Sequence, residues 1–299
     1  MLASANFWMS AAGLVYLVAG VFAFRKEIGA ARGLDKLVVF GPVFIAVSLA
    51  AFAPEHFRGP EFVQNMVPSY MPLRSLWAYF VGCALLAVAT SLTVRKFERL
   101  STTLLGLMFF LFVCMLYLPS ALRHADNRFA WAYMLRDLSF CAGACALAGL
   151  HWRAAFRRLS KGLILFAHIV LAIAAIDYGA QHFLHPTSAP GVPLEMMTPA
   201  WVPFASVWGY IAGLVLLLAG IGLAINWKSR MAAASVGALM TALTLFLYVP
   251  VLILAYRGAS TDFNDAINYV ADTLLYAGSA LALALASPHE GRSGIRLTS

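Results

Sequence analysis

Ala53-Pro54-Glu55-His56-Phe57 is followed by Val67-Pro68-Ser69-Tyr70-Met71-Pro72 and then by Leu76-Trp77-Ala78-Tyr79-Phe80-Val81-Gly82. This stretch decides the fold, because the chain contains it twice. It returns as Gly179-Ala180-Gln181-His182-Phe183, Thr198-Pro199-Ala200-Trp201-Val202-Pro203 and Val207-Trp208-Gly209-Tyr210-Ile211-Ala212-Gly213. Pro68 and Pro199 are 131 positions apart. The same offset pairs Pro72 with Pro203, Trp77 with Trp208, Tyr79 with Tyr210, Gly82 with Gly213, Arg99 with Arg230, Gly106 with Gly237, Tyr117 with Tyr248 and Pro119 with Pro250. Over residues 68–119, 14 of 52 positions are identical, and nine of them fall on Pro, Trp, Tyr, Gly and Arg, which carry more weight than matched aliphatics. His56 and His182 are 126 apart, so the link after the histidine is five residues longer in the second copy. Asp137 and Asp272 match at an offset of 135.

The segments between these landmarks are apolar. Of 299 residues, 62% are hydrophobic and 11% charged, where a soluble domain carries roughly 25% charged residues. Mean hydropathy is +0.81. An integral, all-α polytopic membrane protein follows. Nine stretches are long enough to cross a bilayer, which takes about 20 apolar residues: 6–24, 37–54, 73–94, 101–120, 129–150, 161–181, 202–225, 231–256 and 265–286. The first is read as an uncleaved helix rather than a signal peptide: no basic residue precedes it, and Arg25 and Lys26 follow it. The expected organisation is a leading helix and loop (1–36), a first four-helix module (37–160), a second (161–286) and a short polar, disordered tail (287–299). Four spans per module make both modules enter from one side, so the repeats are parallel and related by a pseudo-two-fold axis near the membrane normal.

The net charge of +8 is a topology signal, and nucleic acid is not an expected partner. Fifteen of the 21 Lys and Arg residues fall in alternate loops and the tail on one side, and six on the other. The richer side is cytoplasmic by the positive-inside rule. The N-terminus is then outside, the C-terminus inside, and Glu55-His56 and Gln181-His182 both lie at the outer face.

Glu55 and His56 form a carboxylate–imidazole couple suited to proton transfer, and are the candidate catalytic pair. His182 repeats the histidine beside the uncharged Gln181. The matched histidines either bind a polar head group, a quinone carbonyl or a proton, or cap nearby backbone. Heme ligation is disfavoured, since the helix-face spacing of stacked ligands is absent. Asp177 sits one turn inside Gln181 on the same face. Its counterpart is Ala51, so the module does not need it. At mid-helix an aspartate costs about 2.5–3.5 kcal/mol on insertion scales, so it should face the protein interior or a wet cavity. Asp137 has Arg136 beside it, while Asp272 is expected to find Arg257 or a tyrosine. Trp77, Tyr79, Trp208 and Tyr210 either form an interfacial belt or line a flat apolar ligand. With Asp177, Gln181, His182, Asp137 and Asp272 they are the candidate ligand-binding residues. Pro119 and Pro250 are expected to end helices. His185, Pro186, Pro190 and Pro193 lie in a longer second loop that could cap the outer mouth, and His168 is assigned a structural role. Cys83, Cys114, Cys141 and Cys145 lie in apolar spans without metal-ligand spacing, and read as small buried hydrophobes. No metal site is expected. Cys-x-x-Cys, Gly-rich nucleotide, His-Glu-x-x-His and Gly-x-Ser-x-Gly motifs are absent from the sequence.

Each copy carries Glu/Gln-His-Phe at the end of its first helix, a Pro-x-aromatic-x-Pro link, Trp-x-Tyr-x-x-Gly opening the second helix and Leu-Tyr-x-Pro closing the third. In this the chain resembles the DoxX-like membrane proteins, in tandem, over residues 37–150 and 161–286. The resemblance implies a bacterial inner membrane and association with membrane redox chemistry, with a quinone as candidate ligand and a redox subunit as candidate partner besides membrane lipids. It assigns no redox centre to any residue here. The leading expectation is a quinone or lipid-like ligand in an outer-leaflet pocket. A small-molecule carrier, a cofactor-free intramembrane enzyme and an assembly subunit stay open beside it.

Overall fold

The structure is a computed structural model, which describes residues 5–58, 60–191, 195–258 and 263–288. The tail expected to be disordered lies almost wholly outside the described residues. Regular structure among those residues is helical, apart from one antiparallel bridge between Ser188 and Met197. In chain order the helices are α1 (Ala5–Ala23), α2 (Arg25–Ala30), α3 (Asp35–Val38), α4 (Gly41–Arg58), α5 (Pro60–Met66), α6 (Arg74–Val94), α7 (Glu98–Phe112), α8 (Leu118–Arg123), α9 (Arg128–Trp152), α10 (Arg157–Leu184), α11 (Ala205–Ala224), α12 (Ser229–Leu243), α13 (Val249–Tyr256) and α14 (Phe263–Ala286).

Among the described residues, seven helical segments are long and apolar enough to cross a membrane: those starting at Asn6, Arg74, Glu98, Arg157, Ala205, Ser229 and Asp265. The stretch Gly41–Phe57 of α4 is apolar but shorter. α9 has 25 residues and is more polar, with Arg128, Arg136 and Asp137 along it. Large apolar side chains cover the outward surface: Phe22 is 66% exposed, Leu218 62% and Phe246 76%. Only a lipid or detergent surround accommodates that surface, so this is a membrane protein.

Two segments depart from the expectation that Pro119 and Pro250 end helices. Here π-helical turns at Val113–Tyr117 and Thr244–Tyr248 precede each proline, and the rods run on as α8 and α13. A proline interrupts the i to i−4 ladder by removing one N–H. A π turn re-registers the ladder so that the helix continues past it. α4 likewise runs through Pro54 to Arg58, past the expected end at residue 54.

α14 is the centre of the bundle, with 83% of its apolar window buried. It packs against α4, α9 and α12, while α9 packs against α7 and α10. α4 also packs against α1 and α6, and α10 against α11. Small residues set these distances. A Cβ on Gly143 of α9 would lie 2.3 Å from Ser279 Oγ of α14, and one on Gly278 would lie 2.9 Å from the Ile45 backbone N of α4. Without a hydrophobic driving force between helices in lipid, such close approach supplies the packing energy.

At one end of the bundle arginines satisfy helix C-terminal carbonyls. Arg153 donates to Ala286 O (2.7 Å), and Arg230 donates to Ala284 O (2.6 Å) and to Asp35 Oδ1 (2.8 Å). At the same end Arg95 of α6 pairs with Glu27 of α2 and holds its carboxyl below the usual carboxylate range. Replacing Gly143 with valine is expected to lower stability by about 1–3 kcal/mol or more through overpacking. Gly162→Ala, where a Cβ meets nothing within 4 Å, should cost nothing. Thermal denaturation in detergent, followed by size-exclusion chromatography, compares the two.

Candidate functional site

The opposite end of the bundle, where α4 and α10 finish and α6 and α11 begin, holds a cavity of about 740 Å³. Its walls come from α4, α6, α7, the turn at Val113–Tyr117, α9 and α14, with α5 at its edge. α4 and α9 do not close on each other, and α14 spans the interval between them. Most of the wall is apolar: Phe52, Val81, Leu85, Met108, Phe109 and Phe112 are examples. The polar groups are few and convergent: Glu55, His56, Tyr117, Tyr133, Arg136, Asp137 and Asp272 all line it.

Arg136 organises that polar group. Its Nε and Nη2 donate to Asp137 Oδ2 (3.1 and 2.9 Å), and its Nη1 donates to Asp272 Oδ2 (2.9 Å). Asp137 and Asp272 are both buried. Arg136 is therefore the partner of Asp272, in place of the expected Arg257 or tyrosine. A helix rise of 1.5 Å per residue puts Asp137 about 14 Å into α9. Two carboxylates share one guanidinium, so with both ionised the cluster carries one net negative charge. Tyr117 lines the cavity beside the same cluster.

Glu55 and His56 are half-buried at the end of α4. His56 Nδ1 bonds Phe52 O at 3.1 Å. A carbonyl only accepts, so Nδ1 carries the proton and Nε2 is left as an acceptor facing the cavity. Trp77 lines the cavity too, with its indole N–H committed to Pro72 O (3.1 Å). Of the sequence-named candidates, the cavity thus gathers Glu55, His56, Trp77, Asp137 and Asp272.

The other named residues lie elsewhere. Tyr79 packs on Phe57 (6.3 Å between centroids) and Tyr210 on Phe183 (5.7 Å), both on the outward surface. Trp208 is half exposed and donates to Pro203 O (3.1 Å). Asp177 and Gln181 lie one turn apart on α10, and Asp177 Oδ2 has no hydrogen-bond partner among the described residues. His182 is fully buried and closed off on both nitrogens: Nδ1–H donates to Tyr178 O (2.6 Å), and Nε2 accepts from Gly191 N–H (3.2 Å). His168 Nε2 bonds Leu223 O, a structural contact.

The segment 185–204 explains the difference between the two histidines. Its described residues, 185–191 and 195–204, pair with each other, Ala189 N–H to Met196 O (2.7 Å) and Thr198 N–H to Thr187 O (3.0 Å). Ala189, Pro190 and Gly191 are buried, and Tyr248 OH donates to Pro190 O (2.8 Å). Gly191 has φ +139°, and a Cβ there would lie 2.6 Å from Tyr248 Oη, so only glycine fits. The expected cap over the outer mouth is instead a plug beneath it; Pro193 lies outside the described residues. The same segment sends Glu195 to the first cavity, where it meets Tyr133. Sequence reasoning missed Arg136, Tyr133 and Glu195 as site residues. The adjacent Arg136-Asp137 pair inside an apolar span was the available signal for the first.

The cysteines are free: Cys141 is buried, Cys145 half-buried, and Cys83 and Cys114 face outward rather than lying in the core. No cluster with metal-ligand character occurs among the described residues.

Leaving Asp137 and Asp272 without Arg136 strands two buried carboxylates, so Arg136→Met should cost about 3–5 kcal/mol. The triple change Arg136→Met, Asp137→Asn, Asp272→Asn should recover most of that loss. Thermal unfolding of the two purified variants against wild type reads the difference.

Residues 45–136 match a protein family described as a domain of unknown function (DUF8561). The match covers less than a third of the chain, from α4 to Arg136 itself. Neither a curated protein nor a solved structure matches this chain.

Proposed function

We propose that this protein binds the polar head of a lipid-like or quinone-class amphiphile in the cavity of its first module, with the apolar walls holding the tail. The observation that carries this reading is the shape of the site. An apolar enclosure of about 740 Å³ has its few polar groups gathered around Arg136, a size and composition usual for small-molecule sites. Glu55 and His56 bind the head group and handle its protons, and the half-neutralised Asp137–Arg136–Asp272 cluster supplies further donors and acceptors.

The architecture in this reading is a leading helix and two parallel four-helix modules, nine spans in all. Its support is local geometry that recurs at fixed offsets. Leu73 and Phe204 cap α6 and α11 in the left-handed region (φ 53° and 55°). The π turns begin at Val113 and Thr244, both indoles donate to the proline five residues back, and both histidines bond the carbonyl one turn earlier. α4 packs on α14 and α10 on α9, the exchange expected of a two-fold relation. The cavity end lies outside and the arginine-rich end in the cytoplasm, in a bacterial inner membrane. A role in a membrane redox system, with electrons carried by the ligand or a partner subunit, rests on the DoxX-like resemblance.

Native mass spectrometry from mild detergent is expected to show one bound amphiphile per chain, and Ala78→Trp, which fills the cavity, to abolish it. Absence of any bound amphiphile, with no lipid or quinone recovered by extraction, overturns the reading. For orientation, a reporter enzyme active only outside the cytoplasm should work when fused after Asp126 and stay silent after Arg99. The reverse pattern rejects the assigned topology.

A further inference from the structure

We propose that the head group recognised in the cavity is a secondary amide, carried on an acyl chain. This rests on the ligand-binding reading above, and it comes from the plug in the second module. There, one peptide unit is held between a histidine and a tyrosine. Pro190 C=O accepts from Tyr248 OH at 2.8 Å, and the N–H of the same unit, on Gly191, donates to His182 Nε2 at 3.2 Å. Both partners are buried, His182 at 0% and Tyr248 at 2% exposure. A donor and an acceptor from one amide satisfy both side chains at once, which a buried pair requires.

The first module places the matched pair, His56 and Tyr117, on the wall of the cavity. His56 stands where His182 stands, in the same tautomer, because each bonds the carbonyl one turn back. Its Nε2 is therefore an acceptor, and it has no hydrogen bond among the described residues. Tyr117 stands where Tyr248 stands and lines the cavity. It sits beside Arg136, whose guanidinium has five N–H groups and commits three of them to Asp137 and Asp272. A carbonyl at that end has a phenol or a guanidinium N–H to accept from. The link after His56 is five residues shorter than its counterpart. It folds in part as α5 at the cavity's edge, and among the described residues no hydrogen bond joins it to His56 or Tyr117. What the second module supplies from its own backbone, the first takes from a ligand. A quinone or an ester offers carbonyl oxygens alone and leaves His56 Nε2 unsatisfied. A secondary amide offers both groups on adjacent atoms. Leu85, Phe109 and Phe112 give its chain an apolar bed.

Three probes of equal chain length separate the contributions: N-methyldodecanamide, N,N-dimethyldodecanamide and methyl dodecanoate. Binding to purified wild-type protein is measured by isothermal titration in a lipid nanodisc. The first probe should bind about tenfold tighter than the other two, the scale of one satisfied buried hydrogen bond. In His56→Phe, which keeps ring volume and loses the acceptor, the three should bind within about twofold of one another. Equal binding of all three to wild type overturns the amide assignment and leaves the cavity as an unselective chain site. Binding of none of them overturns the amphiphile reading as well. If His56→Phe does not fold, the wild-type ranking alone decides.

Discussion

A guanidinium buried about 12 Å along α9 has to be answered by carboxylates, and this bundle is built around that demand. Arg136 reaches one aspartate on its own helix and one on α14, so the two central helices are joined by charge where they are also joined by contact. Gly143 and Ser279 let α9 and α14 approach closely enough for that reach. The ion cluster is weak evidence for net stability, because desolvation offsets most of the attraction. Its clear effect is on specificity: any slip of α14 along α9 strands Asp272 in an apolar interior.

The same cluster sets the chemistry of the cavity. It forms the polar wall of an otherwise apolar enclosure, and it is shared between the two halves of the chain, since Asp272 comes from the last helix. The cavity is therefore complete only when the whole bundle is assembled. Glu195 makes the same point from the other side, because the segment that fills the second half also reaches the first.

The two halves differ by a backbone device. Five extra residues let the link after His182 turn inward, and Gly191, with its positive φ and no Cβ, lets the turn lie against Tyr248. One half then has a filled core and the other an open one, although the residues around both are matched.

Much of the fold was legible in the sequence. Apolar runs and Pro, Trp, Tyr and Gly at a constant offset mark helices and their matched ends, because those residue types answer local demands of backbone and interface. Glu55, His56, Trp77, Asp137 and Asp272, which line the cavity, stood out in the sequence because polar and interfacial groups beside apolar spans are few. The pairing of Arg136 with Asp272 was not legible, because it joins positions 136 residues apart through the approach of two helices. The π turns before Pro119 and Pro250 were not legible either, since a proline reads locally as a stop and only the surrounding bundle holds the helix together past it. Nor does the sequence say that His182 is plugged and His56 is open. The five-residue difference was visible, but whether the longer link lies over the mouth or enters the core depends on the space α10, α11, α12 and α14 leave for it. By itself the sequence determined the apolar helices, the repeated motif and the polar residues that need partners; tertiary packing alone decided which partners they have and which of the two histidines lines a cavity, because both depend on distances between helices that no local pattern encodes.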